Sequence, residues 1–213
     1  MKQLLLLSIL CINSMHVIAA SMDSSGAPKK PLPWHFNATL GYVNNSDMVD
    51  ANVAIQRIAG ARDVFDYHHA ILGIELGVQT GLSSRLWASQ AALDIIGIAA
   101  SEMVINPFVD VLGAVSVPVV DNLGVFAKAG MAYRQMHFDS NIIHRKVQIS
   151  PEVQIGVSHA LSPQATIGLA YQGIYARQAG LTINNTNPAA VTGAVRSIPS
   201  QNGALLIFAW NAA

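Results

Sequence analysis

A long hairpin pattern between Lys146 and Tyr175 constrains the fold of this chain more than any other feature. Apolar residues occupy every second position from 147 to 157, and polar, small or charged residues fill the positions between them. After a turn-like sequence at 159–164, the alternation resumes from 165 to 171. A period of two with one apolar side predicts two antiparallel strands joined as a hairpin.

The length of the two arms narrows the choice of fold further. Each arm has about a dozen residues, whereas strands of soluble proteins average about five or six and a tilted membrane-spanning strand needs roughly 9 to 11. The length therefore favours a membrane barrel. A hairpin of a soluble sandwich or of a lipocalin-type barrel is the alternative that this stretch alone leaves open.

The first twenty residues have the pattern of a secretory signal peptide. Lys2 gives a short positive start, an apolar run extends from Leu4 to Ile12, and small residues occupy positions 19–21. Asn13 interrupts the run well before the roughly 20 apolar residues that a membrane-spanning helix needs. We therefore predict a signal peptide at 1–20 and an exported protein.

The sequence after the signal peptide excludes several classes of protein. Residues 21–33 are rich in Ser, Gly, Pro and Lys and predict a flexible spacer before a barrel domain at 34–213. Cleavage removes Cys11, the only cysteine, so we expect no disulfide, thiol chemistry or cysteine metal site. Twelve basic residues balance twelve acidic ones, and a nucleic-acid partner is not expected without a basic face.

The hydropathy of the chain favours a barrel over membrane helices. Hydrophobic residues make up 52% of the sequence and charged residues only 11%. No stretch after residue 21 offers 18 uninterrupted apolar residues, so we do not expect helical spans. A closed barrel is the other architecture that satisfies its backbone hydrogen bonds inside a membrane.

Eight alternating stretches predict eight strands with a regular pattern of connections. The connections near residues 82, 122 and 161 are short, and those near 54, 100, 141 and 188 are longer. Short and long connections that alternate in this way are typical of outer-membrane barrels, whose termini lie in the periplasm. We therefore predict an all-β fold, an eight-stranded antiparallel up-and-down transmembrane β-barrel in the outer membrane, with strands at 34–43, 65–80, 85–96, 105–120, 125–134, 146–158, 165–175 and 202–210.

From Trp34 to Trp210 the chain resembles the small eight-stranded outer-membrane barrels of the outer-membrane protein A-like and opacity-type surface proteins. The resemblance is carried by GVFAKAGMAY at 124–133, IGLAY at 167–171 and the alternating aromatic residues Phe208 and Trp210. It implies recognition of Phe208 and Trp210 by the barrel-assembly machinery. In the family the last residue is usually aromatic, whereas here three residues follow Trp210.

Charged residues on the inward faces predict a structural network in the lumen. Eight strands enclose an interior just wide enough for side chains, so charges there must pair with one another. Glu75 and Lys128 stand at similar heights on strands that can face each other, and Asp110 and Arg134 do so on adjacent strands. Glu152 lies within reach of Lys128. We expect this network to plug the barrel, with a narrow ion path as the alternative.

We therefore predict a monomeric protein with a structural or adhesion-like surface role through the loops at 44–63 and 176–200. Outer-membrane lipid, lipopolysaccharide and a host or surface partner are the expected contacts, without a cofactor or metal. The alternatives are a lipid A-modifying enzyme, a narrow porin and a soluble periplasmic lipocalin-like carrier. Catalysis is not expected, because Ser158 and His159 are adjacent and point to opposite faces. A carrier would need an oily lumen.

Overall fold

The computed structural model describes residues 33–45, 52–67, 70–85, 102–138, 146–176, 181–184, 192–195 and 197–212. The predicted signal peptide at 1–20 lies outside the described residues, as does the predicted spacer except for Pro33. The described residues contain no helix that is long and apolar enough to cross a membrane.

The described residues form twelve strands along the chain. Four of them are short: β4 and β5 lie in one connection of the barrel, and β10 and β11 lie in another. The other eight are longer and build the wall. In chain order the strands are β1 Trp34–Asn45, β2 Asn52–Tyr67, β3 Ala70–Gln79, β4 Leu82–Arg85, β5 Glu102–Ile105, β6 Phe108–Val120, β7 Leu123–Phe138, β8 Lys146–Ala160, β9 Ala165–Ile174, β10 Leu181–Asn184, β11 Thr192–Val195 and β12 Gln201–Ala212.

Eight strands close into a barrel in the order β1, β2, β3, β6, β7, β8, β9 and β12. Every neighbouring pair is antiparallel, and β12 returns to β1 in a register that runs from Trp34↔Ala212 to Asn45↔Gln201. The β7–β8 and β8–β9 ladders complete the wall on the far side. The predicted eight-stranded, up-and-down antiparallel barrel is therefore confirmed.

The side chains are distributed in the opposite way to those of a water-soluble barrel. Leu40, Ile58, Ile149 and Leu169 point outward and are 60–71% exposed. Charged and amide side chains point inward instead and are buried. An apolar outer face around a polar interior is the arrangement of transmembrane β-barrels.

The connections between the barrel strands alternate in length. Residues 68–69, 121–122 and 161–164 make the short ones, whose end of the barrel we call the short-turn rim. Residues 46–51, 80–107, 139–145 and 175–200 make the longer ones, at the long-loop rim. Both ends of the barrel chain, at the start of β1 and the end of β12, belong to the short-turn rim.

The structure corrects the prediction for the second strand. Residues 44–63 were expected to form a long loop, but most of them belong to β2, which pairs with both β1 and β3. A bulge at Val64 shifts the register between Asp63 and Phe65. Ile58 points outward before the bulge, and Phe65 and Tyr67 do so after it, so the outward positions change from even to odd numbers. Residues 52–63 precede the bulge and lack a regular period for another reason: Gln56 points outward and Ile55 points inward, so polar and apolar residues share each face.

Three further strand and loop predictions also change. The expected turn at 81–84 is largely strand β4, and the short connection lies at 68–69 instead. Residues 86–101, which hold most of the predicted strand at 85–96, lie outside the described part, and the neighbour of β3 in the wall is β6. The predicted loop at 176–200 contains the β10–β11 hairpin.

An apolar cluster fills one side of the lumen beside Gly41. Ile55 and Leu205 are 2% and 1% exposed and pack there with Val43, Ala170 and Ile207. A Cβ added to Gly41 would lie 2.5 Å from Leu205 Cδ2 and 2.9 Å from Ile55 Cγ1. The absence of a side chain at position 41 therefore allows β2 and β12 to bring these two residues together over β1.

We expect Gly41→Ala to destabilise the barrel by about 1–3 kcal/mol, because the extra methyl group overpacks a closed cluster. Gly60→Ala is the matched control, since a Cβ at Gly60 on the neighbouring strand meets no atom within 4 Å. The free energy of unfolding, measured by urea titration in lipid vesicles, separates the two. Equal stability of the two variants would contradict the packing that we describe.

Candidate functional site: a charged cluster in the lumen

Three neighbouring strands bring three of the five predicted charged residues to one wall of the lumen. Glu75 lies on β3, Asp110 on β6 and Lys128 on β7, and they are 1%, 1% and 8% exposed. The register places Asp110 opposite Gly77 and Lys128 opposite Ala114. Inward positions on adjacent strands thus share one side of a narrow interior, where their charges must be balanced.

Glu75 is the centre of this luminal cluster. Lys128 Nζ lies 2.7 Å from Glu75 Oε2, and Asn37 Nδ2 donates a hydrogen bond of 2.5 Å to the same oxygen. Arg57 Nη1 lies 2.7 Å from Glu75 Oε1. The structure therefore brings Glu75 and Lys128 together, and it adds a second cation to the carboxylate.

Arg57 joins the two carboxylates of the cluster. Its Nε donates to Asp110 Oδ2 at 2.9 Å, and its Nη2 contacts Asp110 Oδ1, so the guanidinium holds that carboxylate in a bidentate pair. Two cations and two carboxylates balance each other within this buried group. Such charge-assisted, two-point contacts fix the relative positions of β2, β3 and β6.

Arg134 does not form the expected pair with Asp110. Its guanidinium instead donates to Pro199 O at 2.8 Å from both Nη1 and Nη2, and to Ser150 Oγ at 3.2 Å. Gln148 Oε1 accepts the amide of Ile198 at 2.8 Å. The segment before β12 is thereby fastened to β7 and β8, with Ile198 fully buried.

Glu152 does not pair with Lys128 as expected. Its Oε1 accepts hydrogen bonds from Gln172 Nε2 at 2.6 Å and from Gln154 Nε2 at 2.8 Å. Gln172 also reaches Gln79 Oε1 on β3, at 3.1 Å. The predicted five-residue network is thus divided: Glu75, Lys128 and Asp110 share one cluster through Arg57, while Arg134 and Glu152 have separate polar partners.

Sequence reasoning missed Arg57 because it lies in the stretch predicted as a loop. It also missed a second polar group at the short-turn rim, where His35 Nε2 lies 2.8 Å from Asp63 Oδ2 and His35 Nδ1 lies 2.6 Å from Asn211 Oδ1. His35 belongs to the predicted polar face of the first strand, which was the available signal. Asp63 gave none, because it ends the stretch that was predicted as a loop.

The structure separates the candidate catalytic pair. Ser158 points inward, with its Oγ 3.5 Å from Gly124 O, whereas His159 is exposed on the outer face. His68, His69 and His144 lie outside the described residues, as does the side chain of His137. Among the described residues, no group of three His, Cys, Asp or Glu side chains could hold a metal ion.

The charged cluster can brace the barrel and obstruct its lumen. Each of its cations and carboxylates is less than a tenth exposed and is held by a partner of opposite charge. A buried ion pair that loses one member leaves an uncompensated charge in a poorly solvated interior. The geometry therefore favours a structural role for these residues.

We expect Arg57→Met to destabilise the barrel by about 3–5 kcal/mol, because it leaves Asp110 without its cation. Lys128→Met should cost less, since Glu75 keeps Arg57. Arg62→Met is the control: Arg62 lies over the Trp34 ring at 5.3 Å, on the outer side of the same strand. Urea unfolding of the three variants in vesicles measures the order, and an Arg57 variant as stable as the Arg62 variant would refute the bracing role.

No protein-family model and no curated protein sequence matches this chain. Among solved structures, Neisserial surface protein A is 10% identical with a TM-score of 0.49, and the match covers 83% of this chain and 94% of that one. The Ail protein of Yersinia pestis, in complex with the heparin analogue sucrose octasulfate, is 7% identical with a TM-score of 0.47 and coverage of 84% and 97%.

The N-terminal β-barrel domain of Pseudomonas aeruginosa OprF is 11% identical with a TM-score of 0.42, and the match covers 85% of this chain and 98% of that one. In fold, this chain is similar to the small eight-stranded outer-membrane β-barrels.

Proposed function

We propose that this chain is a small integral outer-membrane protein with a braced, closed lumen, and that its long-loop rim faces the cell exterior and contacts surface partners. The observation that carries the proposal is the pairing of an exposed apolar outer wall with a buried, charge-balanced interior. The apolar outer wall can contact the hydrocarbon of a membrane, and the filled interior leaves space neither for an apolar ligand nor for an open pore.

The position of the longer connections supports a surface-interaction role. Binding residues occur preferentially on loops that a rigid scaffold positions, and the long-loop rim collects four such connections on one end of the barrel. The longest stretches, at 80–107 and 175–200, each include an additional pair of short strands. The short-turn rim offers little chain for recognition and suits the periplasmic side.

The proposal predicts opposite labelling of cysteines placed at the two rims. The only natural cysteine, Cys11, lies in the predicted signal peptide, so the mature chain provides a cysteine-free background. Asn44→Cys at the long-loop rim should react with a membrane-impermeant maleimide on intact cells. Gln164→Cys, exposed at the short-turn rim, should react only after the outer membrane is permeabilised. Labelling of both sites on intact cells, or of neither, would contradict the proposed orientation.

The β10–β11 hairpin provides a separate test of the interaction role. Replacing residues 181–195 with a short Gly–Ser turn should lower attachment of producing cells to cultured host cells to the level of cells that lack the protein. The barrel should still fold, because these strands pair only with each other among the described elements. A gel shift between unheated and boiled samples reports that folding. Unchanged attachment of a folded variant would leave only the structural role.

A further inference from the structure

The barrel wall has a notch at the long-loop rim, where β8 is longer than β9. The β8–β9 ladder starts at Glu152↔Ile174, and the Tyr175 amide donates one further bond of 2.9 Å to Pro151 O. Beyond that point β8 continues to Lys146 and pairs with β7. No described strand lies along its other edge between Lys146 and Ser150.

A cavity of about 500 Å³ occupies the notch, within the range of ligand-binding sites. The lining of the cavity differs between its two sides. Lys146 supplies a cation, and Gln148 and Ser197 supply polar groups on the luminal side. Outward side chains supply apolar surface. Val147, Ile149 and Tyr175 are 44%, 66% and 51% exposed and form most of that surface together with Pro151.

The ring of Tyr175 lies at the base of the notch. It lies against Gly173, where an added Cβ would be 2.7 Å from the Tyr175 hydroxyl oxygen and 2.8 Å from Cζ. Gly173 thus leaves room for an aromatic side chain on the outer wall. Aromatic rings at this level of a membrane barrel suit the boundary between acyl chains and headgroups.

Among the described residues, no backbone group pairs with the notch side of β8 between Lys146 and Ser150. Backbone groups of a strand alternate between its two edges, and Pro151 O already bonds toward β9, so the N–H and C=O groups of Val147 and Ile149 face the notch. Proline has no N–H and adds no donor there. Polar backbone groups at membrane depth are costly when unpaired, and an acyl chain alone cannot satisfy them.

Lys146, at the start of β8 on its inward face, is a cation that lines the notch. Among the described residues it has no carboxylate partner, whereas Arg57 and Lys128 are neutralised inside the lumen. An ammonium group at the boundary of a membrane attracts phosphate. An occupant that meets all of these conditions has acyl chains, amide or hydroxyl groups and a phosphate.

We propose that the notch binds lipid A, the phosphorylated and N-acylated amino sugar of the surrounding outer leaflet. The phosphate contacts Lys146, the sugar and its amide or hydroxyl groups contact the edge of β8, and one acyl chain follows Val147, Ile149 and Pro151 down the wall. Because strands rise about 3.4 Å per residue, this apolar path from Val147 to Pro151 is roughly 14 Å long. The choice of lipid rests on the proposed function, which places the long-loop rim in that leaflet.

Native mass spectrometry of the folded protein in detergent, titrated with purified lipid A, tests the site without any assumption about orientation. We expect Lys146→Gln to weaken lipid A binding about tenfold, the effect of one lost charge-assisted hydrogen bond. Arg62→Gln, a cation on the outer wall at the opposite rim, is the matched control and should bind as the wild type does. Removal of the phosphates from lipid A should lower wild-type binding to the level of the Lys146 variant.

A second variant tests the strand edge. Val147→Pro removes an N–H that faces the notch and leaves the β7 ladder in place, so it should weaken binding even with Lys146 present. A heat-induced gel shift checks that each variant is folded. Unchanged binding by both folded variants, or equally tight binding of phosphatidylglycerol, would overturn the site. Mislocalisation of the protein in cells would instead overturn the proposed function, whatever the detergent titration shows.

Discussion

Closure of the backbone hydrogen-bond ladder is the constraint on which the rest of this structure depends. A strand edge that faces hydrocarbon has no water to satisfy it, so a membrane sheet is stable only when its first and last strands meet. Here β12 pairs with β1 over the full length of both strands. The inward and outward positions of every strand are set by that closed ladder, and they decide which side chains meet lipid and which meet one another.

Closure with only eight strands determines the chemistry of the interior. The lumen is too narrow to solvate isolated charges well, so polar side chains must find partners across it. On one side the barrel uses the Arg57, Glu75, Asp110 and Lys128 cluster, and on the other it uses the apolar packing of Ile55 and Leu205. Arg57 and Ile55 are neighbouring inward positions of β2, so this strand contributes to both the charged cluster and the apolar cluster.

The accuracy of the sequence-based predictions follows the regularity of each strand. Stretches with uninterrupted alternation, such as those around Glu75 and Lys128, gave the correct faces because burial depends only on parity. The prediction of the second strand failed because apolar Ile55 points inward while polar Gln56 points outward, and because a bulge after Asp63 changes the parity of the positions that follow it. The partners within ion pairs were harder to predict than the inward positions. Arg57, on the strand that was predicted as a loop, forms the pair with Asp110 that was expected of Arg134.

The contacts of Arg134 divide the last long connection into two parts with different freedom to change. Backbone carbonyls of Ile198 and Pro199 accept its hydrogen bonds, so any side chain at those positions can keep the contact if the path of the chain is preserved. These hydrogen bonds therefore hold the start of β12 in place when residues earlier in the connection change. Insertions and sequence drift between residues 177 and 195 can accumulate without disturbing barrel closure, so this segment can diversify while the barrel stays constant.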